Sequence, residues 1–79
     1  MDTPTTPSAA TRQVTQALTA EDANNARIRT QKGAGWGFVT TVEPEPARIW
    51  PIGARLSSAL GVRVEVTNSH VFVYWNQPA

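Results

Sequence analysis

The sequence predicts a small α+β protein with a three-stranded, mainly antiparallel sheet, one packed amphipathic helix and a looser N-terminal helix, in the order α-β-α-β-β. Three observations lead to this fold for a chain of 79 residues. Sixteen of the 20 large apolar residues follow position 35, so the core lies in the C-terminal half. Residues 51–60 carry apolar side chains at helical spacing. Residues 62–76 form two alternating runs around a turn, which is typical of a hairpin.

The first ten residues, MDTPTTPSAA, are predicted to be a polar, flexible tail, with a single small domain over residues 11–79. Nothing apolar anchors this tail to a core. Pro4 and Pro7 lack the backbone N–H that a helix interior needs, so we expect no helix there.

Residues 11–32 are predicted to be helical, either as one continuous helix or with an earlier turn or helix over residues 11–18. Thr19 fits an N-cap, because Glu21 and Asp22 would then lie in the first turn, near the positive end of the helix dipole. Gly33 follows at the position where glycine often ends a helix. Three basic residues would occupy the last turns and complement the negative end of the dipole: Arg27, Arg29 and Lys32.

The apolar stripe of this N-terminal helix is interrupted by Glu21 and Asn25, so we expect the helix to dock loosely. The same basic residues (Arg27, Arg29 and Lys32) are also candidate contacts for phosphate groups. Both interpretations of these cations stay open at this point.

Residues 36–42 are predicted to form the first strand, since they are mainly aromatic and β-branched and follow a glycine-rich segment. Two prolines interrupt strand pairing after it and make residues 43–50 a loop. The second helix, residues 51–60, begins with a proline and ends before Gly61. Its apolar stripe recurs at helical intervals: Ile52, Leu56, Ala59 and Leu60.

The two C-terminal strands, Val62–Thr67 and His70–Asn76, are predicted to pair through a two-residue turn at Asn68 and Ser69. That turn fixes the register of the pair. On one face the opposed residues are Val66 and Val71, Val64 and Val73, and Val62 and Trp75; on the other they are Glu65 and Phe72, and Arg63 and Tyr74. The valine face is expected to pack against the helix of residues 51–60.

The opposite face of the sheet is the predicted partner-binding surface. It would carry four aromatic side chains and one arginine: Trp36, Phe38, Arg63, Phe72 and Tyr74. The hairpin register places the last three there, and the first two join them if Val39 turns toward the core. Either the N-terminal helix covers these rings as a second core layer, or the rings are an exposed platform for a partner.

Two of the predicted strands resemble the RNP strands of nucleic-acid-binding families. The run Gly35-Trp36-Gly37-Phe38-Val39 resembles the RNP1 strand of RNA-recognition and cold-shock domains. The run Val71-Phe72-Val73-Tyr74-Trp75 resembles the RNP2 strand of cold-shock domains. In those families alternate aromatic rings stack on bases, which implies that role for Trp36, Phe38, Phe72 and Tyr74. The likeness covers about ten of the 79 residues and concerns the chemistry of two strands, not family membership.

Composition and spacing give no support for an enzyme or a metal centre. The chain has no cysteine and a single histidine, His70, which excludes a disulfide scaffold and a cysteine-type zinc site. The acidic residues lack the spacing of a catalytic motif, and Ser57 and Ser58 have no base nearby in sequence. We therefore expect no catalytic residues, no cofactor and no metal.

The formal net charge of +1 argues against a partner that is held by charge alone. No apolar run is long enough to span a membrane and no secretory signal opens the chain, so a cytoplasmic protein is expected. Six arginines against one lysine, with eleven alanines and ten threonines, favour a high-GC bacterial or phage genome.

Together these observations predict a non-enzymatic binding module. The leading hypothesis is an interaction with a protein partner through the aromatic face or an open sheet edge, as in a phage or bacterial accessory factor that binds a host protein. The alternative is single-stranded nucleic-acid binding by stacking on the same rings. Homo-oligomer formation and duplex-DNA binding stay open as further alternatives.

Overall fold

A four-stranded antiparallel sheet with helices packed on one of its faces forms the structure. The computed structural model describes residues 3–33 and 36–75, with the backbone but not the side chain of Trp36. The helices are α1 (Pro7–Ala17), α2 (Ala20–Asn24) and α3 (Ile49–Leu60), with a short 3₁₀ helix at Pro46–Arg48. The strands are β1 (Arg27–Gly33), β2 (Trp36–Glu43), β3 (Arg63–Val66) and β4 (Val71–Trp75), in the sheet order β1-β2-β4-β3.

The α+β class is confirmed, but the expected count of three strands and the expected order α-β-α-β-β are wrong. The additional strand is β1, which pairs antiparallel with β2. Its residues were expected at the end of a helix. The side chains of β1 instead alternate between solvent and core, with Ile28 and Thr30 turned inward, and this two-residue period suits a strand.

Helix α1 begins inside the segment that was expected to be a tail, so the expectation of no helix before residue 11 is wrong. Pro7 occupies the first helical position, where its missing N–H matters little because that group would have no helical partner. Thr6 caps the helix, its side-chain oxygen accepting a hydrogen bond from the Ala9 N–H at 3.1 Å. Ala10 and Val14 are fully buried. The flexibility expected of the residues before α1 stays a prediction.

The predicted N-cap at Thr19 is confirmed for α2. The Thr19 side-chain oxygen accepts from the Asp22 N–H at 3.1 Å, and Glu21 and Asp22 lie in the first turn. Helix α2 ends at Asn24, so the expected continuation to residue 32 is wrong. The basic residues of 27–32 and Gly33 therefore belong to a strand and complement no helix end.

The hairpin of β3 and β4 has the predicted register. The opposed residues are Val66 and Val71, Glu65 and Phe72, Val64 and Val73, and Arg63 and Tyr74. Across the turn the Thr67 N–H donates to the His70 carbonyl at 2.9 Å. On its other side β4 pairs with β2, with Val42 opposite Val71, so β4 lies inside the sheet. Asn76, which was expected in the last strand, lies outside the described residues.

Helix α3 begins at Ile49, inside the segment that was expected to be a loop, and ends at Leu60 as predicted. Gly61 follows with a φ of 65°, a left-handed conformation that favours glycine. The buried residues of the helix are Ile49, Ile52, Gly53, Leu56 and Leu60. Ala59 was expected among them and is exposed.

Both α1 and α3 pack against the same face of the sheet. Helix α1 lies over β1 and β2, and α3 lies over β3 and β4. One hydrophobic core results, with these buried residues: Ala10, Val14, Leu18, Val42, Ile49, Ile52, Leu56, Leu60, Val71, Val73 and Trp75. Among the helices in the described part of the chain, none is both long and apolar enough to cross a membrane.

A chain of hydrogen bonds crosses this core between the sheet and α1. The Trp75 indole N–H donates to Thr40 Oγ1 at 2.9 Å, and the Thr40 hydroxyl is 2.7 Å from that of Thr30. The Thr30 hydroxyl is in turn 2.7 Å from that of Thr11 on α1. Thr40 is fully buried, so this chain satisfies a polar group that would otherwise be costly inside the core.

Candidate binding surface

The open face is the side of the sheet opposite the helices. Its side chains alternate along each strand with those of the core: Arg27, Arg29 and Gln31 on β1, Val39, Thr41 and Glu43 on β2, Phe72 and Tyr74 on β4, and Arg63 and Glu65 on β3. Because α1 packs on the other face, the interpretation in which the N-terminal helix covers the rings is wrong for Phe72 and Tyr74.

Phe38 does not lie on the open face, so its expected place beside Phe72 and Tyr74 is wrong. The register of β2 with β4 puts Phe38 opposite Trp75, and Phe38 packs against the core. Val39 takes the open-face position, opposite Tyr74. The side chain of Trp36 and the whole of Gly35, both in the RNP1-like run, lie outside the described part of the chain.

Phe72 and Tyr74 form the aromatic centre of the open face. Both side chains are half-buried and stand two residues apart on β4. The guanidinium carbon of Arg63 lies 5.0 Å from the centroid of the Tyr74 ring, a cation–π distance. The His70 ring stacks on Phe72, with a centroid separation of 5.8 Å and an interplanar angle of 18°. Each of the two rings therefore packs against another side chain of the hairpin, Tyr74 against Arg63 and Phe72 against His70.

Charged groups of both signs border the two rings. Arg63 Nη2 lies 3.3 Å from Glu65 Oε2 on the same strand. His70 Nε2 lies 2.8 Å from Glu43 Oε2, which ties the β3–β4 turn to the end of β2. These pairs are exposed, so each adds little stability, but they fix where charge is presented around the rings.

Ser69 and His70 of the turn, together with Glu43 at the end of β2, are the residue types of a hydrolytic triad. Ser69 Oγ lies 2.6 Å from His70 Nδ1, and His70 Nε2 contacts Glu43 as described. However, the N–H groups of Ser69 and His70 both donate to Thr67 Oγ1, at 3.3 and 3.0 Å. The backbone donors nearest to the hydroxyl are thus engaged within the turn and are not offered to an oxyanion.

The three candidate phosphate contacts lie on β1, at the border of the sheet. Arg27 and Arg29 are exposed on the open face. Lys32 is also exposed, but it lies on the other side of the strand. The ion pairs of arginine and lysine side chains among the described residues involve Arg48 and Arg63. The cations of β1 are therefore available to a partner.

Trp50 is a prominent surface residue that sequence reasoning missed. It lies in the first turn of α3 with 75% of its surface exposed. It escaped notice because the helix was expected to begin at Pro51. The signal was present, since Trp50 falls off the buried stripe that Ile49 and Ile52 begin.

A polar groove of about 410 Å³ lies between α2 and the 3₁₀ helix. Asp22 and Arg48 both line the groove and are joined by two hydrogen bonds, from Arg48 Nε to Asp22 Oδ1 at 3.1 Å and from Arg48 Nη2 to Asp22 Oδ2 at 3.0 Å. These bonds lower the pKa of the Asp22 carboxyl below its usual value, although burial opposes the shift. The same contact raises the pKa of Arg48. The pair serves to join two segments of the chain.

Within the described residues, no group of three or more His, Cys, Asp or Glu side chains is placed to hold a metal ion. Compared with known proteins, the chain matches no family model, no curated protein and no solved structure at a significant level.

Proposed function

We propose that the chain is a non-enzymatic binding protein that holds a partner protein on the open face. One observation carries the proposal: β4, an interior strand, presents Phe72 and Tyr74 half-buried on the face opposite both α1 and α3. Rings at the centre of a patch with arginine beside them have the composition of protein interfaces, where aromatic residues and arginine supply most of the binding energy.

The charges around the rings favour a protein over a polyanion. Arg27, Arg29 and Arg63 share the open face with Glu43 and Glu65. A phosphate backbone is attracted by the three arginines and repelled by the two carboxylates, whereas a protein surface can match both signs.

The size of the open face sets the extent of the contact. Four strands at a spacing of about 4.8 Å span about 15–20 Å, and the five residues of β4 are about 17 Å long. A standard interface takes about 800 Å² from each partner, which is about a sixth of the 4906 Å² surface of this chain. The contact is therefore expected to cover the open face and to extend beyond the edge strands β1 and β3.

Site-specific photocrosslinking in cells tests the proposal. A photoreactive amino acid at Thr41, between Arg29 and Phe72 on the open face, is expected to capture a defined partner protein. The same probe at Ser58, exposed on α3, is the control position and should capture little.

The variant Tyr74→Thr replaces the ring by a small β-branched side chain that suits a strand, and is expected to reduce the Thr41 adduct at least about tenfold. The matched control Trp50→Ser removes an exposed ring from α3 and should leave the adduct unchanged. Equal capture from Thr41 and Ser58, or an adduct that Tyr74→Thr does not weaken, would contradict the proposal.

Single-stranded nucleic acid is the second candidate, and one observation favours it. Phe72 and Tyr74 alternate on an interior strand, as in the RNP2-like run, and Arg27 and Arg29 stand on the same face. Such a ligand would stack its bases on the rings and lose affinity steeply as salt rises. A titration with a short oligothymidylate decides: no binding at low ionic strength removes this candidate.

The setting in which the protein acts is also a proposal. The composition, with six arginines against one lysine, favours an accessory factor of a high-GC bacterium or phage, and we propose the cytoplasm as the place where it acts. A second copy of the chain is one conceivable partner. Sedimentation at increasing concentration tests it, since a constant monomer mass would remove self-association.

A further inference from the structure

The free edge of β1 is a second feature that a partner can use. Among the described residues β1 pairs with β2 on one side, and with seven residues it is the longer of the two edge strands. In an antiparallel ladder every second residue of an edge strand turns its N–H and C=O away from its neighbour. About three residues of β1 therefore offer backbone hydrogen bonds to an added strand.

The charged side chains of β1 are all cationic, although Arg27 stands across from Glu43 on β2. Arg27, Arg29 and Lys32 are exposed, the strand contains no acidic residue, and none of the three makes an ion pair with a described residue. The opposite edge differs: β3 has four residues, and its Arg63 and Glu65 pair with each other. The two edges of the sheet thus differ both in length and in charge.

The positive charge of β1 selects its partner. A second copy of β1 added antiparallel would bring arginines of the two chains together, and like charges facing each other across strands are destabilising. An acidic segment would instead be attracted to this edge, because its carboxylates would face Arg27 and Arg29. On the helix side of the sheet the added strand would lie beside Ile28 and Thr30, which favours apolar or small side chains there.

We propose that the free edge of β1 accepts an extended segment of a partner protein as a fifth strand, with acidic residues at alternate positions facing Arg27 and Arg29. Main-chain hydrogen bonds supply the attachment and the alternation of acidic and apolar residues supplies the selectivity. This edge site does not need Phe72 or Tyr74, so it stands or falls separately from the proposed use of the open face.

A peptide of about seven residues, the length of β1, tests the edge site directly. The probe alternates glutamate and valine and carries blocked termini and a fluorophore. Fluorescence anisotropy is expected to show binding that weakens as ionic strength rises. A copy of the peptide N-methylated at alternate amides keeps the charge but cannot extend the sheet, and should bind at least about tenfold more weakly.

Two variants assign the contact on the protein. Arg29→Gln is expected to weaken peptide binding about tenfold, while Arg12→Gln, which removes an exposed cation from α1, and Tyr74→Thr should leave it unchanged. Peptide binding that survives N-methylation would overturn strand addition, because attraction by charge would then suffice. A preference for oligothymidylate over the acidic peptide, lost in Arg29→Gln, would also overturn it and assign β1 to phosphate.

Discussion

The two faces of the sheet shield their aromatic rings in different ways. Trp75 is only 2% exposed under the helices, and its indole N–H is bonded to Thr40. Its neighbour Tyr74 points to the open face, where it is half-buried beside the Arg63 guanidinium. Because both rings come from one strand, their exposure is decided by the layer that covers each face and not by the strand itself. A helix layer exists on one side, and we propose that a partner supplies the layer on the other.

The largest expected difference in stability is between alanine variants of two valines that lie on opposite faces of β2. Val42 is fully buried under the helices, whereas Val39 is half-buried on the open face. Val42→Ala should lower the free energy of unfolding by about 2–3 kcal/mol, because it removes buried methyl groups and leaves a cavity. Val39→Ala should cost about 1 kcal/mol or less. Urea unfolding measures both, and equal losses would contradict the assignment of the faces.

A pair of threonines gives the polar version of the same contrast. Thr40→Val removes the acceptor of the buried Trp75 N–H and should cost about 1–3 kcal/mol, since a buried donor loses its partner. Thr41→Val, one residue further on the open face, should change stability by less than about 0.5 kcal/mol. The same unfolding experiment tests this pair. A Thr40→Val variant as stable as the wild type would show that the threonine chain does not hold α1 and the sheet together.

Gly53 tests how closely α3 approaches the sheet. A Cβ at this position would overlap Val66 Cγ2, so Gly53→Ala should lose about 1–2 kcal/mol despite the better helix propensity of alanine. Val66→Ala opens the space and should remove most of the penalty in the double variant. A double-mutant cycle without measurable coupling would place α3 further from β3 than the structure does.

The smallest expected effect concerns the Asp22–Arg48 pair at the edge of the helix layer. Because Arg48 lowers the pKa of Asp22 in the folded state, this carboxylate adds stability at pH values above its unfolded pKa, near 3.8. That stability is lost as the pH falls through the lower, folded pKa. Thermal unfolding between neutral and acidic pH should therefore show a steeper loss for the wild type than for Asp22→Asn. Identical pH profiles would mean that the pair does not contribute.

The hairpin register and the C-terminus of α3 could be predicted because the sequence pattern of each segment favours a single arrangement. Every second residue of β3 and β4 is apolar on one parity, so Val64, Val66, Val71 and Val73 must share the helix-covered face. Strand β2 has no such asymmetry, since Phe38 and Val42 lie on one parity and Val39 on the other. Which of these two sets of β2 side chains faces the helices is decided by the pairing of β2 with β4, and β4 is distant in sequence.

Strand β1 could not be predicted for a related reason. Ile28 is its only large apolar residue, so its alternation is carried by charged and polar side chains that suit the end of a helix equally well. The N-terminus of α2 was predicted correctly from Thr19, Glu21 and Asp22, but no local sequence signal marks its end at Asn24. Residues 27–33 form a strand because they pair with β2. Arg27 and Arg29 therefore lie at the border of the open face and not at the end of a helix.

Solvent paramagnetic relaxation at the side chains of β4 tests the uncovered face most directly. With a soluble gadolinium chelate, the ring protons of Tyr74 and Phe72 are expected to relax much faster than the indole protons of Trp75, which is buried. Enhancement at Trp75 comparable to that at Tyr74 and Phe72 would contradict an open face and remove the proposed binding surface.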